Sequence, residues 1–349
     1  MGDILASPPV PGAPEGLLAE VTQVGAQTGQ GTQVDTKPSN LSSLLGDDKA
    51  EGKVPVDPAT VGVEPLLKGV QLSWAKTGGA TFGPNSAKLP FGSLRLDVGT
   101  AIATAEGAPA SAAASVAGFV QLAPEVEFAY DGTARKHHLG MSGDWKAQWQ
   151  LKGRVAGGAK HRIPFAKLHA DPVIQVGYVP VVVNLNVTCY IQVEADGRIT
   201  LDVEQNVTGD FHVAADYTKG MGWTQASTSN VKSSPVQASV TAAGTTKATL
   251  GAEASVGLYG MAGLLADFAP YLRGEATATA TAATDSTASL VGFWGLYSGF
   301  ELNGYLQLQL SIFGTPLMEH RIPLGGLNRE WPLASGGAGA SASPTRPPA

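Results

Sequence analysis

From Val179 to Val213 the chain alternates apolar and polar residues with a period of two. Val183, Leu185, Val187, Cys189, Ile191 and Val193 fall on one side of an extended segment; Asn184, Asn186, Thr188, Tyr190 and Gln192 fall on the other. That alternation is the pattern of a half-buried strand. Ile199, Leu201 and Val203 follow after Asp196-Gly197, a dipeptide that favours turns. A two-residue loop would oppose Val193 to Thr200. A three-residue loop, Ala195-Asp196-Gly197 with Gly197 at a G1 bulge, instead opposes Val193 to Ile199, Ile191 to Leu201, Cys189 to Val203 and Glu194 to Arg198. The pattern therefore predicts a hairpin centred on Asp196.

The same alternation recurs along most of the chain. Val70, Leu72 and Trp74 precede a Gly78-Gly79 turn, and Leu94 to Ile102 is followed, after the loop at 105–115, by Val116 to Tyr130 and a turn at Asp131-Gly132. Trp145, Ala147, Trp149 and Leu151 are predicted to face inward opposite Lys146, Gln148, Gln150 and Lys152. After a loop at Lys219-Gly-Met-Gly222, the alternation is weak to Thr246 and clear from Leu250 to Leu258. Ala276 to Ala282 reads ATATATA, and Trp294 to Phe313 keeps one parity long enough to need a bend at Gly299 or Gly304. The fold class that follows is all-β, with long antiparallel strands in a two-sheet β-sandwich.

Residues 1–60 are rich in Pro, Gly, Ser, Thr and Asp without sustained periodicity, and the end from 334 to 349 reads SGGAGASASPTRPPA after Ala334. Both are predicted to be disordered tails. Within the first, the apolar patches Gly16 to Val21 and Leu41 to Leu45 are the places where it could dock, the second as a turn of helix. His161-Arg-Ile-Pro164 recurs as His320-Arg-Ile-Pro323. At the same offset, Gln148, Gln150, Leu151 and Leu168 match Gln307, Gln309, Leu310 and Leu327. This suggests two related β-units, 61–172 and 173–333.

Composition narrows the function classes. Charged residues make up 15% and apolar residues 43% of the 349 residues, and the net charge is −6. With no cluster of Lys or Arg, nucleic acid is not an expected partner. Cys189, the one cysteine, lies on the apolar face and is expected to be a buried, inert thiol. Adjacent His137 and His138 would point to opposite faces of a strand, so they do not suggest a metal centre; as solvated loop residues they would carry no chemistry. His161 and His320 lie near no nucleophile motif. The carboxylate pairs Glu125 with Glu127 and Asp202 with Glu204 match ordinary solvent-facing charges. No catalytic residue, metal ligand or cofactor site is assigned, and the protein is not expected to be an enzyme. The candidate binding surface is the polar face carrying Tyr190, Gln192, Tyr297, Tyr305, Gln307 and Gln309, with Asn186 and Asn206 beside them, because alternating amides and aromatics suit a sugar polymer.

The stretches VPVVVNLNVTCYIQVEADGRITLDV, LGAEASVGLYGMAGLLADFAPYLRGEATA and WGLYSGFELNGYLQLQLSIFGTPL, spanning about Val173 to Leu327, resemble the body of a group of Gly/Ala/Thr-rich, β-rich secreted proteins of actinobacteria and other bacteria. The resemblance covers under half of the chain and carries over no functional residue. It implies export and hence an extracellular location. The opening MGDILASPPVPGAPEG has neither a basic n-region nor an apolar h-region, so the expectation is a cytosolic protein or an exported one whose leader is not part of this chain. The expected function is a secreted or surface-associated structural or binding protein, self-assembling or binding polysaccharide. A pore-forming or membrane-acting β protein is the alternative.

Overall fold

The computed structural model describes residues 2–49, 61–66, 70–75, 81–83, 86–90, 93–102, 113–156, 159–176, 178–233, 237–282, 288–307, 321–337 and 343–344. Across 70–118, 149–159, 195–205 and 237–243, among shorter stretches, the description is of backbone pairing alone. The expected Gly78-Gly79 turn, most of the 105–115 loop, Gln309 and His320 lie outside the described residues.

The described elements are β1 (Ile4–Ser7), β2 (Leu17–Thr28), β3 (Gly31–Pro38), α1 (Leu41–Leu45), β4 (Gly62–Pro65), β5 (Val70–Ala75), β6 (Thr81–Gly83), β7 (Ser86–Pro90), β8 (Ser93–Ile102) and β9 (Ala113–Asp131). There follow β10 (Lys136–Ala156), β11 (Ala159–Ala170), β12 (Val173–Val176), β13 (Val179–Thr218), β14 (Gly222–Ser233), β15 (Gln237–Leu258), β16 (Met261–Ala282), β17 (Ala288–Gln307), β18 (Arg321–Gly337) and β19 (Ser343–Pro344). All the pairings are antiparallel, and the main sheet runs from β19 to β6 without closing into a barrel. The all-β, antiparallel expectation holds.

The central hairpin does not. β13 is one strand of 40 residues, and Asp196 and Gly197 continue it, opposite Thr245 and Gly244 of β15. Instead of Leu201 and Val203, Ile191 and Cys189 meet Leu250 and Ala252 on β15, and Ile191 meets Ile163 on β11 at the other edge. These partners match apolar to apolar along both edges, which a hairpin at Asp196 would forgo.

β13 cannot be straight. The Phe211 and Phe268 rings are 5.4 Å apart, and Phe268 lies opposite Ala252, which lies opposite Cys189. Phe211 therefore returns close to Cys189, although the 22 residues between them (211 − 189) would span about 70 Å if extended. The strand turns a corner between Glu194 and Asn206. Its flanking strands are divided on either side of that corner, β10 from β11 opposite Asp196-Gly197, and β14 from β15 opposite Gln205-Asn206. The result is two layers, with strands passing from one to the other at a bend. One layer holds β11, the first half of β13, β15, β16, β17 and β18; the other holds β9, β10, the second half of β13 and β14.

Odd-numbered residues of β13 face the core on both sides of the corner: Val183, Leu185, Val187, Cys189 and Ile191, then Val207, Phe211, Val213 and Ala215 are buried. Opposite them stand Val126, Phe128 and Tyr130 of β9, Leu139, Met141, Trp145 and Ala147 of β10, and Leu296, Phe300 and Leu302 of β17. Between the layers Trp145 meets Phe268 edge-on at 4.7 Å and Phe300 at 6.2 Å, and Phe268 meets Phe300 at 4.7 Å. The Trp145 ring has room because Gly209 opposes it; a Cβ there would lie 2.6 Å from the indole nitrogen.

Residues 2–49 are not a disordered arm. β1, β2 and β3 form an antiparallel sheet, and Leu18, Leu41 and Leu45 are buried in the main core. Asn40 caps α1 by accepting from the Ser43 amide at 2.7 Å. Tyr130 donates to the Gly46 carbonyl at 2.8 Å, and the Gly132 amide donates to that of Asp48 at 3.2 Å. Both ends of the folded β13 meet this segment, since Gly16 abuts Val182 while α1 seats on the β9–β10 turn, itself partnered by the end of β13. The sheet and α1 thus cover the end of the sandwich opposite the corner. At the other terminus, β18 runs to Gly337 and pairs with Ser343-Pro344, so part of the expected tail is ordered; 50–60, 338–342 and 345–349 lie outside the described residues.

The division at 172/173 does not appear in the pairing, because β13 bonds to β10 and β11 along most of its length. The repeated motif also sits in two topologies. β10 and β11 follow one another along a single edge of β13, whereas β17 and β18 pair with each other, Tyr305 opposite Pro323.

Candidate functional site

The outward face of the first layer is covered by tyrosines, cations and carboxylates in a repeating relation. Tyr190 on β13 is opposed by Gly251 on β15. With no side chain to displace it, the ring lies across Gly251, and its hydroxyl reaches one strand further to donate to Asp267 Oδ1 on β16 at 2.8 Å. The Arg162 guanidinium of β11 lies over the other face of the ring, 3.6 Å from its centroid, and bonds Glu253 at 2.9 Å. The arrangement recurs two strands along. Tyr271 on β16 crosses Gly299 on β17 and donates to Glu330 Oε2 on β18 at 2.9 Å, with the Lys247 ammonium 4.1 Å from its ring centre. Lys247 also pairs with Glu301.

A third tyrosine runs the opposite way. Tyr297 on β17 donates back to Glu275 on β16 at 2.7 Å, and the Arg273 guanidinium lies 4.1 Å over its ring. From there Arg273 passes over β17 to bond both oxygens of Glu330, at 2.9 and 2.7 Å, and Glu275 at 2.7 Å. Glu330 therefore joins the Tyr271 and Tyr297 units. Cation over ring and charge-assisted hydrogen bond act together at each tyrosine.

The protonation states follow from this geometry. Burial, then the adjacent Asp267 charge, pushes the Tyr190 phenol up; burial and Glu330 do the same to Tyr271, and Glu275 to Tyr297. The Arg273 guanidinium holds Glu330 below the usual carboxylate range, and the Tyr297 hydroxyl with Arg273 holds Glu275 there. Asp267 moves the other way because burial outweighs its bonds. The phenols are fixed as donors. What the lattice supplies is a broad polar surface with partly exposed charges.

Of the residues expected to bind, Tyr190, Gln192, Tyr297 and Tyr305 do share this face. Tyr190 is only 3% exposed, with both ring faces occupied. Gln192 is half-buried and donates to Glu194 at 2.6 Å, which also pairs with Lys160 at 2.9 Å. Tyr305 is half-buried between Leu265 and Pro323. Gln307 opposes Arg321 in the backbone, its side chain lying outside the description. Arg162, Lys247, Arg273, Asp267 and Glu330 were not singled out from sequence; tyrosine opposite glycine was their signal, and it requires the register across three strands.

A second cluster lies on the outward face of the other layer. His138 Nδ1 is 2.7 Å from Asp216 Oδ1, and its Nε2 is 3.6 Å from Glu127 Oε2. Ser142 donates to the other Glu127 oxygen at 2.5 Å, and His212 Nε2 lies 3.8 Å from Oε2. His137 points to the opposite face, as alternation predicts, and stacks between Tyr130 at 4.9 Å and Tyr217 at 5.4 Å. Both histidines belong to a paired strand rather than to a solvated loop. Cys189 is buried, and burial pushes its thiol up to about 12.

Fold and surface together define an open, two-layered antiparallel β protein with an ion-laced sheet face. No family model, no curated protein and no solved structure matches the chain.

Proposed function

We propose that the protein is a secreted or surface-associated structural and binding protein, without catalysis, whose first-layer face takes an extended polysaccharide. The observation that supports this reading is the tyrosine–cation–carboxylate lattice. It fixes a broad surface across β11 to β18 while leaving Arg162 and Glu253 each 39% exposed in their side chains. Sugar hydroxyls donate and accept in alternation, and a surface of fixed donors and acceptors meets them with little loss of conformational entropy. The resemblance to secreted β-rich proteins supports the extracellular location.

The test is sedimentation of the protein with insoluble glycans such as cellulose, chitin and peptidoglycan. Depletion from solution by at least one of them, reduced several-fold by Arg162→Gln, is the expected result. Retention in solution with all three would overturn the reading. A membrane-acting protein is the second reading, supported by a different observation. Strands β10, β15, β16 and β17 run 20 to 22 residues, about twice the roughly 10 residues a membrane-crossing strand requires. Dye release from liposomes, in place of glycan depletion, would favour it.

A further inference from the structure

We propose that two copies of the chain pair antiparallel along the outer edge of β3, about a two-fold axis at Val34. β2 pairs with β1 on one side and β3 on the other, and β3 has no second partner among the described residues. All eight residues of β3 are exposed, as is β2 from Thr22 to Thr28, so the ribbon stands clear of the body. A two-stranded ribbon with both faces in water is marginal by itself. An open edge next to it is a template for another strand.

The polarity of that edge can be read from one bond. The Asp35 carbonyl accepts from the Thr22 hydroxyl of β2 at 3.0 Å, so it points into the ribbon. In an antiparallel strand the N–H and C=O of one residue share a side and alternate between neighbours. Those of Val34 and Thr36 therefore point out, as do those of Thr32. A second β3 centred on Val34 is met by its own outward groups, with Val34 exchanging both bonds with Val34 of its copy.

The occupant is a copy of the chain because the edge complements itself in this register. Val34 opposes Val34, Thr32 opposes Thr36, and the Gln33 amide opposes the Asp35 carboxylate on each side of the axis. Gly31 opposes Lys37, whose ammonium is already drawn to Glu20 of β2 at 3.0 Å. No like charges meet, and Pro38, which cannot donate, falls just outside the ladder. Val24 lies opposite Val34 on β2, and the two are 53% and 36% exposed. Pairing two ribbons would align Val24, Val34 and their counterparts in one apolar row of four across a four-stranded sheet. The edge is short, so the dimer should be weak and concentration-dependent. It is independent of any glycan, so its success or failure leaves the polysaccharide reading to its own test.

Sedimentation velocity of the full chain over about two decades of concentration, with no ligand, should show a mass rising from 35.7 kDa towards twice that value. Val34→Pro removes a donor that faces away from β2, and Val34→Lys sets two ammonium groups together on the axis. Both should remain monomeric with unchanged circular dichroism. Val34→Cys should form a covalent dimer on mild oxidation and Thr36→Cys should not, Cys189 being buried. A wild-type chain monomeric throughout, or dimerisation unaffected by Val34→Lys, would overturn the proposal. Cross-linking through Thr36→Cys in preference to Val34→Cys would overturn the register.

Discussion

The ring of Tyr190 lies across Gly251, so close that a Cβ on the glycine would sit 2.1 Å from the phenol carbon bearing the hydroxyl. Gly251→Ala must therefore lift the ring or shift the strand, and in either case strain the bond to Asp267. We expect a loss of about 1–3 kcal/mol in urea denaturation. The Tyr190→Ala background should abolish most of that loss, because the obstacle is then gone. Additive effects of the two changes would refute the relation.

Arg273 bridges Glu275 and Glu330 with a planar fork that also covers Tyr297. Arg273→Lys keeps the charge but cannot reproduce the fork. The expected cost is about 1 kcal/mol, modest because the side chain is 27% exposed. It should shrink as salt is raised. An equal cost at low and high ionic strength would assign the effect to packing instead.

His137 and His138 are expected to make stability depend on pH in opposite senses. Burial holds His137 down at about 4 against 6.5. It is neutral when folded and takes up a proton on unfolding, so stability falls as pH drops from 6.5 towards 4, by at most about 3 kcal/mol. For His138, burial disfavours the charge, but the bonds to Glu127 and Asp216 outweigh it and raise the pKa. Its contribution is complete below pH 6.5 and is lost as pH rises through the raised value. In urea midpoints measured across pH 4 to 8, His137→Phe should flatten the acid side and His138→Gln the neutral side.

Gly132 sits under the segment after α1, where an added Cβ would lie 2.0 Å from the Gly46 carbonyl oxygen. Gly132→Ala should loosen the 40–49 segment and cost about 1–3 kcal/mol. Limited proteolysis would then cut between Ser39 and Lys49 faster than in the wild type. Unchanged cleavage would mean that α1 does not depend on this seat.

Much of the sandwich is present in the alternation itself. Which side chain of a strand faces the core follows from its parity, and Val126, Phe128 and Tyr130, Trp145 and Ala147, and Val183 to Ile191 and Val207, Phe211, Val213 and Ala215 at the odd positions of β13 are buried as their positions require. Turns with their own chemistry are equally local: Asp131 pairs with Lys136 across a loop beginning at Gly132, and Thr218 with Gly222 across Lys219-Gly220-Met221. The corner of β13 is not local. A three-residue loop at Ala195-Asp196-Gly197 and an uninterrupted strand leave the same odd positions facing inward, so parity cannot separate them. The choice rests with β11 and β15, whose apolar residues match both edges of β13 from Val183 to Glu194. The lattice is hidden for a related reason, since Tyr190, Gly251 and Asp267 lie on three strands and meet only once two registers are set. Leu41 and Leu45 show the same limit: two leucines in a polar segment have nothing to bury against until the β9–β10 turn and the ends of β13 are brought together. Period-two patterning fixes the face on which each side chain lies, because the pleat is local; which faces and edges meet depends on matching apolar area between segments far apart in the chain, and that is decided only in the assembled core.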